Sequence, residues 1–257
     1  MPALTKGIRI TPRRAWQPPQ RLKQPIRHAF AHIGYELVRL RRPATKFILR
    51  LIRENDIDLL VDVGANQGQY AERMRTIGFQ GGIHSFEPSS EAFALLSARA
   101  KRDGNWVAHH LALGAVDGDA TLSVSNDSVS SSLLKVADPH LRVAPKSASA
   151  YTEEVHVSTL DQVLATTTSS RLWLKLDTQG SEDRVIAGAE RTMASVRVLQ
   201  TELSLVECYE GQADYRQIVD QLHAGGFRLV TVEPGTQDVT TGELLQFDAT
   251  FVRKMVD

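Results

Sequence analysis

Three short stretches carry residues whose types and spacing could do chemistry. The first is Asp62-Val-Gly-Ala-Asn-Gln-Gly68, which follows an apolar run. Gly64 allows a tight turn where a Cβ would clash, and Gly68 lets the next helix start close to a ligand. Backbone N–H groups at such a helix start can meet a carboxylate or a phosphate. The second is Phe86-Glu87-Pro88 at the end of the next apolar run. A carboxylate at that place can accept both ribose hydroxyls of a nucleoside, and Pro88 stops the strand and fixes the turn. A dinucleotide fingerprint needs G-x-G-x-x-G, with its middle glycine against the pyrophosphate. Here Asn66 stands at that middle place, so a nicotinamide reductase is disfavoured. Asp62 before the loop and Glu87 after it fit instead a nucleoside with a cationic amino-acid tail, which is S-adenosylmethionine. The cofactor-binding expectation covers Asp62, Gly64, Ala65, Asn66, Gly68, Glu87 and Pro88, together with Asp177 farther along the chain.

The third stretch, Lys175 to Glu182, places Asp177 just after another apolar run, and Glu202 ends the one that follows. Methyl transfer is an in-line displacement at an already activated methyl, so the cofactor carries the difficult chemistry. The protein must align the reactants, and an alcohol acceptor must lose its proton as the bond forms. Asp177 is the leading proton acceptor, at the carboxyl edge where such sheets bind ligands, with Glu202 as a second catalytic candidate facing the same cleft. Helix capping by Asp177, and an edge charge or a Lys175 partner for Glu202, are the structural alternatives. Lys175 itself reads as half of a buried ion pair. Ser130–Ser132 read as pocket lining or as a plain loop. His156 is a weaker alternative base. None of His84, His109, His110 and His156 has metal-site spacing, so no zinc site is expected and no metal ligand is assigned, while a Mg²⁺ shared between acids and a sugar diol stays open.

These residues need elements to hold them. Strands are expected at 58–63, 82–86, near 106–110, 121–124, 155–157, 172–176, 196–203, 227–232 and 247–252. Helices are expected from Pro43 through Ile52, after Gly68, from Ser89 or Ser90 to about Lys101, after Ser181, and over 215–224. Ser181 reads as an N-cap, with Glu182 and Asp183 giving the first turn the right charge. The stretch 135–153 reads as loop. Alternating strands and helices argue for a mostly parallel sheet covered on both faces. The last two strands, joined by Pro234-Gly235 and a polar run, fit an antiparallel hairpin at the sheet edge.

The bulk composition sets the frame. The 257 residues carry no net charge, yet residues 1–53 hold 13 Lys/Arg against the single acid Glu36, net +12, and the remainder is net −12. This suggests a basic extension, 1–42, ahead of one domain, 43–257. The extension is proline-broken except for an amphipathic helix at about 26–40. That helix leaves open a peripheral contact with an anionic membrane surface through 26–42 or a homo-oligomer interface. One cysteine, Cys208, and no apolar run of signal-peptide or membrane-spanning type point to a cytoplasmic protein, with the inner membrane face as the peripheral alternative.

Taken jointly, Asp62–Gly68, Phe86–Pro88, Leu111-Ala-Leu-Gly114, Ser130-Ser-Ser-Leu133, Ser158-Thr-Leu-Asp161 and Lys175–Glu182 make the chain resemble the FkbM family of methyltransferases, in order and spacing from about 56 to 253. Glu202 also fits, and the extension lies outside the resemblance. The resemblance implies a class I methyltransferase (Rossmann-like) α/β fold, with a seven-stranded sheet and an antiparallel C-terminal strand. It implies S-adenosylmethionine as donor, Leu113 as a further cofactor-binding residue, and O-methylation of a sugar hydroxyl, on a glycolipid or oligosaccharide, or of a polyketide. One departure is Ser181, where the family usually has Ala.

Two other functions compete. An RNA methyltransferase could use the basic extension. Amine-methylating nucleic-acid enzymes, however, carry Asn/Asp-Pro-Pro-aromatic where this chain has Asp177-Thr-Gln-Gly180, so a nucleic-acid substrate is disfavoured. The other is a non-catalytic cofactor-binding or membrane-surface protein.

Overall fold

The computed structural model describes residues 43–254 apart from 128 and 170. The basic extension, its helix at 26–40 and the contacts suggested for 26–42 lie outside the described residues. Among the described residues no helix is long and apolar enough to cross a membrane.

Helix α1 (Pro43–Glu54) leads into β1 (Leu59–Val63), α2 (Gln69–Thr76), β2 (Gly82–Phe86), α3 (Ser90–Asp103) and β3 (Trp106–His109). A side ribbon follows: β4 (Ala112–Leu113), β5 (Gly118–Ser125), the short α4 (Asp138–Val143) and β6 (Ser149–Ser158). Then come α5 (Leu160–Val163), β7 (Leu172–Leu176), α6 (Glu182–Ala187), β8 (Val196–Ser204), α7 (Tyr215–Ala224), β9 (Phe227–Pro234) and β10 (Gln246–Arg253).

The main sheet has the order β3-β2-β1-β7-β8-β10-β9. Strands β1, β2, β3, β7 and β8 pair in parallel, while β10 runs antiparallel to both neighbours. β1 and β7 are buried at every residue, as strands covered on both faces must be. One face packs α1, α2 and α3 through Ile48, Leu51, Ala71, Met74 and Leu96 against Leu60, Trp173 and Val198. The other packs Leu160, Val185, Ile186, Ile218 and Leu222 against Leu174, Leu199 and Phe251.

The last two strands form the expected antiparallel pair at the sheet edge, with β10 between β8 and β9. Phe251 is fully buried there, which explains why the final strand is the more apolar of the two. Two expectations are revised. The stretch taken for loop at 135–153 contains α4 and the first residues of β6, which runs from Ser149 and pairs along nearly all of β5. The exposed, polar residues of that ribbon hid it. Ser181 precedes α6 without a side-chain cap. Glu182 turns back instead, and its carboxylate accepts Thr178 N–H (2.8 Å), Thr178 Oγ1–H (3.0 Å) and Gly180 N–H (3.1 Å).

An interior β10 has a measurable signature. Phe251→Ala should cost about 3–5 kcal/mol, the range for a fully buried aromatic, read from the urea midpoint. A loss below about 1 kcal/mol would place β10 at the edge after all.

Candidate active site

The strand registers carry the polar residues into rows. Asp62 lies beside Ser85 and Lys175, Lys175 beside Gln200, and Gln200 beside Thr250, all on one face because side chains alternate along a strand. Two residues nearer the carboxyl edge, Glu202, Asp248 and Glu233 are cross-strand neighbours. The registers Val63↔Phe86, Val63↔Leu176 and Leu176↔Thr201 bring Glu87, Gly64 and Asp177 to the same row, one residue past their strands.

Above this edge lies a cavity of about 390 Å³. One end is lined by Gly64, Ala65, Asn66, Glu87, Pro88 and Leu113, the other by Asp177, Gln200, Asp248, Glu233, Tyr70 and Arg73. The Gly64 turn is tight: φ is +72°, and a Cβ there would stand 1.8 Å from the Asp177 carbonyl oxygen. The turn is held by Gly64 and Ala65 N–H donating to the Phe86 carbonyl at 3.1 and 2.9 Å. Glu87 faces the same turn. Its Oε2 accepts Asn66 N–H at 2.7 Å and its Oε1 accepts Ser89 N–H at 2.9 Å. Burial pushes the Glu87 carboxyl up to about 7, against those two backbone donors.

Two of the expected cofactor residues do not line the cavity. Asp62 is fully buried beneath it, 3.6 Å from Lys175 Nζ, and burial raises its carboxyl pKa. It faces across the sheet instead of upward because it shares the Lys175 row. At Gly68, φ is +89°, and a Cβ would meet the Trp106 ring at 2.8 Å and Leu96 at 2.9 Å. That glycine makes room for protein packing, not for ligand. Gly180 does the same for Tyr209, 2.9 Å from its would-be Cβ.

The catalytic candidates are brought together, but through a residue the sequence reading gave no role. Lys175 Nζ donates to Asp177 Oδ2 at 3.0 Å. Burial works against the Lys175 charge, yet Asp177 and Asp62 outweigh it and hold the ammonium above its usual range. Gln179 Nε2 donates both to Asp177 Oδ1 (2.6 Å) and to Glu202 Oε2 (3.1 Å). Gln246 Nε2 adds a second donor to Glu202 Oε2 at 2.7 Å. The fully buried Tyr209 donates its hydroxyl to Gln179 Oε1, which fixes the amide with its NH₂ toward the two acids. Ser132 Oγ–H donates to the Gln179 carbonyl at 2.6 Å, so the serine loop clamps the residue. Asp177 lines the cavity, while Glu202 stands behind Gln179 and does not. Burial, then Asp177, raises the Glu202 carboxyl well above its usual range.

Ser131 and Ser132 line the cavity, whereas Ser130 is engaged by Asp127. His156 is solvent-facing on the ribbon, 3.6 Å from Asp117 and 3.5 Å from Asp119, away from the cavity. Among the described residues no group of three or more His, Cys, Asp or Glu could hold a metal ion. Gln179 stood inside a recognised motif, but nothing in its neighbours announced its partners. Asp248 did leave a signal: an acid inside the apolar run Phe247–Val252.

Comparison with known proteins places this geometry. The family model described as the methyltransferase FkbM domain matches residues 62–229. The 2-O-methyltransferase NoeI of Sinorhizobium fredii (strain NBRC 101917 / NGR234) is 28% identical over 208 residues, which cover 73% of this chain and 79% of that protein. Two crystal structures are similar in fold. Methyltransferase FkbM from Methylobacillus flagellatus KT has 14% identity and a TM-score of 0.46, over 76% of this chain and 44% of that one, so this chain spans under half of its length. Magnesium protoporphyrin IX methyltransferase from Synechocystis PCC 6803 with bound SAM has 11% identity and a TM-score of 0.43, over 90% and 97%.

The shifted Glu87 carboxyl sets a pH dependence. A ribose placed at Glu87 would donate to the ionised form, which is lost as pH falls through about 7. Affinity for S-adenosylmethionine should therefore drop about fivefold to tenfold from pH 8 to pH 6, measured by equilibrium dialysis. For the donor-free protein the sign reverses. A carboxyl raised from 4.5 to about 7 takes up a proton on folding, so its contribution to stability is lost as pH rises through about 7. Glu87→Gln should bind the donor weakly at every pH without losing thermal stability. A dialysis profile identical in parent and variant would show that Glu87 does not touch the donor.

Proposed function

This chain belongs to the FkbM family of S-adenosylmethionine-dependent methyltransferases, and from that premise we propose that it methylates a hydroxyl oxygen of a small molecule, a sugar unit of a glycolipid or oligosaccharide, or a polyketide. The observation that carries this reading is the edge row itself: one cavity runs from the Gly64 turn and Glu87 to Asp177 and ends among carboxylates. The similarity to NoeI, a 2-O-methyltransferase, supports the same acceptor chemistry.

The residues fit the donor. The Gly64 turn leaves a cradle that a Cβ would fill. Glu87 offers acceptors for a ribose, and Phe86, Leu111, Leu113 and Leu122 supply an apolar slot for a base. When bound, S-adenosylmethionine supplies a methyl group already activated by cationic sulfur.

The chain's own side chains then handle the acceptor. Asp177 accepts a hydrogen bond from Lys175 and lines the cavity beside the Gly64 turn, so it receives the proton of the acceptor hydroxyl. Gln179 fixes its orientation, which matters because a displaced base loses rate steeply. Glu202 shares the Gln179 amide and steadies Asp177 from behind. Tyr209 and Leu134 pack closely against Gly180 and back the loop that carries Asp177 and Gln179.

The test is incubation with labelled donor and an extract of glycolipids, oligosaccharides and polyketides, followed by mass spectrometry for compounds heavier by one methyl. Asp177→Asn and Glu202→Gln should each lower turnover by at least about tenfold. Label found on nitrogen or carbon, or full turnover in both variants, would overturn the reading.

A further inference from the structure

The two ends of the cavity are chemically unlike. The Gly64 end is walled by backbone and by Phe86, Leu111, Leu113 and Leu122. The far end, across β8, β10 and β9, presents Asp248, Glu233, Gln200, Gln69 and Arg73. The side chains of Asp248 and Arg73 enter no hydrogen bond or ion pair among the described residues. Asp248 is part-buried in an interior strand, in register with Glu202 on one side and Glu233 on the other. Arg73 lies one turn along α2 from Gln69 and Tyr70, and its charge acts on Asp248.

An unpaired carboxylate and an unpaired guanidinium at one end of a cavity are costly companions for an apolar guest. The part-buried Asp248 and the exposed Arg73 would lose water to such a guest and gain no partner, and a polar group left unpaired on binding weakens it. A polyol meets both: its hydroxyls donate to a carboxylate, and its hydroxyl and ring oxygens accept from a guanidinium.

We propose that Asp248 and Arg73 form the acceptor subsite, and that they select a polyhydroxylated acceptor of the saccharide class over an apolar alcohol such as a reduced polyketide. This rests on the O-methylation reading and narrows it. Asp248 accepts from a hydroxyl adjacent to the one that reacts at Asp177, and Arg73 donates to an oxygen on the opposite side. Both are specificity-determining residues. Burial, with Asp177 adding to it, raises Asp248 to about 6, so its carboxylate form, the better acceptor, is present above that pH and is lost as pH falls through it.

The test uses a panel of methyl hexopyranosides and disaccharides as polyol probes, cyclohexanol as the apolar alcohol, and labelled S-adenosylmethionine. The parent protein should methylate at least one polyol with kcat/KM at least about 100-fold above cyclohexanol. Asp248→Asn and Arg73→Gln should each raise the KM for that polyol about tenfold or more, with kcat and the donor Kd within about threefold. In the parent, the acceptor KM should rise below pH 6, and Asp248→Asn should flatten that rise. Variants with unchanged KM, or a parent that methylates cyclohexanol as well as any polyol, would overturn this assignment while leaving O-methylation in place. A parent that binds the donor but methylates neither class would remove the O-methylation reading and this subsite with it.

Discussion

The site depends on one buried cation. Lys175 Nζ sits 3.0 Å from Asp177 and 3.6 Å from Asp62, beneath a sheet edge that gathers acid after acid. Carboxylates taken from water are expensive unless paired, and removing one partner of a buried pair typically costs about 3–5 kcal/mol. Lys175 donates to Asp177 at the mouth of the cavity while Asp62 lies against it from below. Burial drives the carboxyls of Asp62, Glu87 and Glu202 upward alike, and the Lys175 ammonium opposes that shift at each of them.

That row exists because of register. A parallel strand one residue out of step would turn Lys175 and Gln200 to the opposite face, separating Asp177 from Glu202 and opening the Gln179 bridge. Gly64 guards the same register from above: its turn passes so close to the Asp177 carbonyl that no side chain fits. Loop and strand thus specify one another, and the position of Asp177 is set by backbone contact before any side chain takes part.

Much of the fold was legible because local rules govern it. Apolar runs bounded by glycine and proline located β1, β2, β7 and α7 to within a residue or two, since each is buried along its length or on one face. The ribbon was less legible. Nearly all of β5 and β6 outside Leu122, Val124, Val155 and Val157 faces solvent, so the pairing leaves little apolar alternation to read. The interior place of β10 was invisible for another reason. Strand order is a property of the whole sheet, and a two-strand hairpin at the end of a chain reads the same whether it closes on its first or its second member.

The cavity divides along the same line. Its Gly64 end is made by one turn and one following acid, close in sequence, and Gly64, Ala65, Asn66, Glu87 and Pro88 could be picked out together. Even there Asp62 and Gly68 do not line the cavity: one meets Lys175 beneath it, the other yields space to Trp106. The far end is assembled from α2, β8, β9 and β10, segments up to about 180 residues apart, and only cross-strand register brings Arg73 and Asp248 to one wall. A motif can encode the half of a site that must meet an invariant cofactor, because that half is a backbone shape. The half that meets the acceptor is a set of side chains on independent elements, each free to change without disturbing the turn, and it is there that members of one fold can diverge in what they methylate.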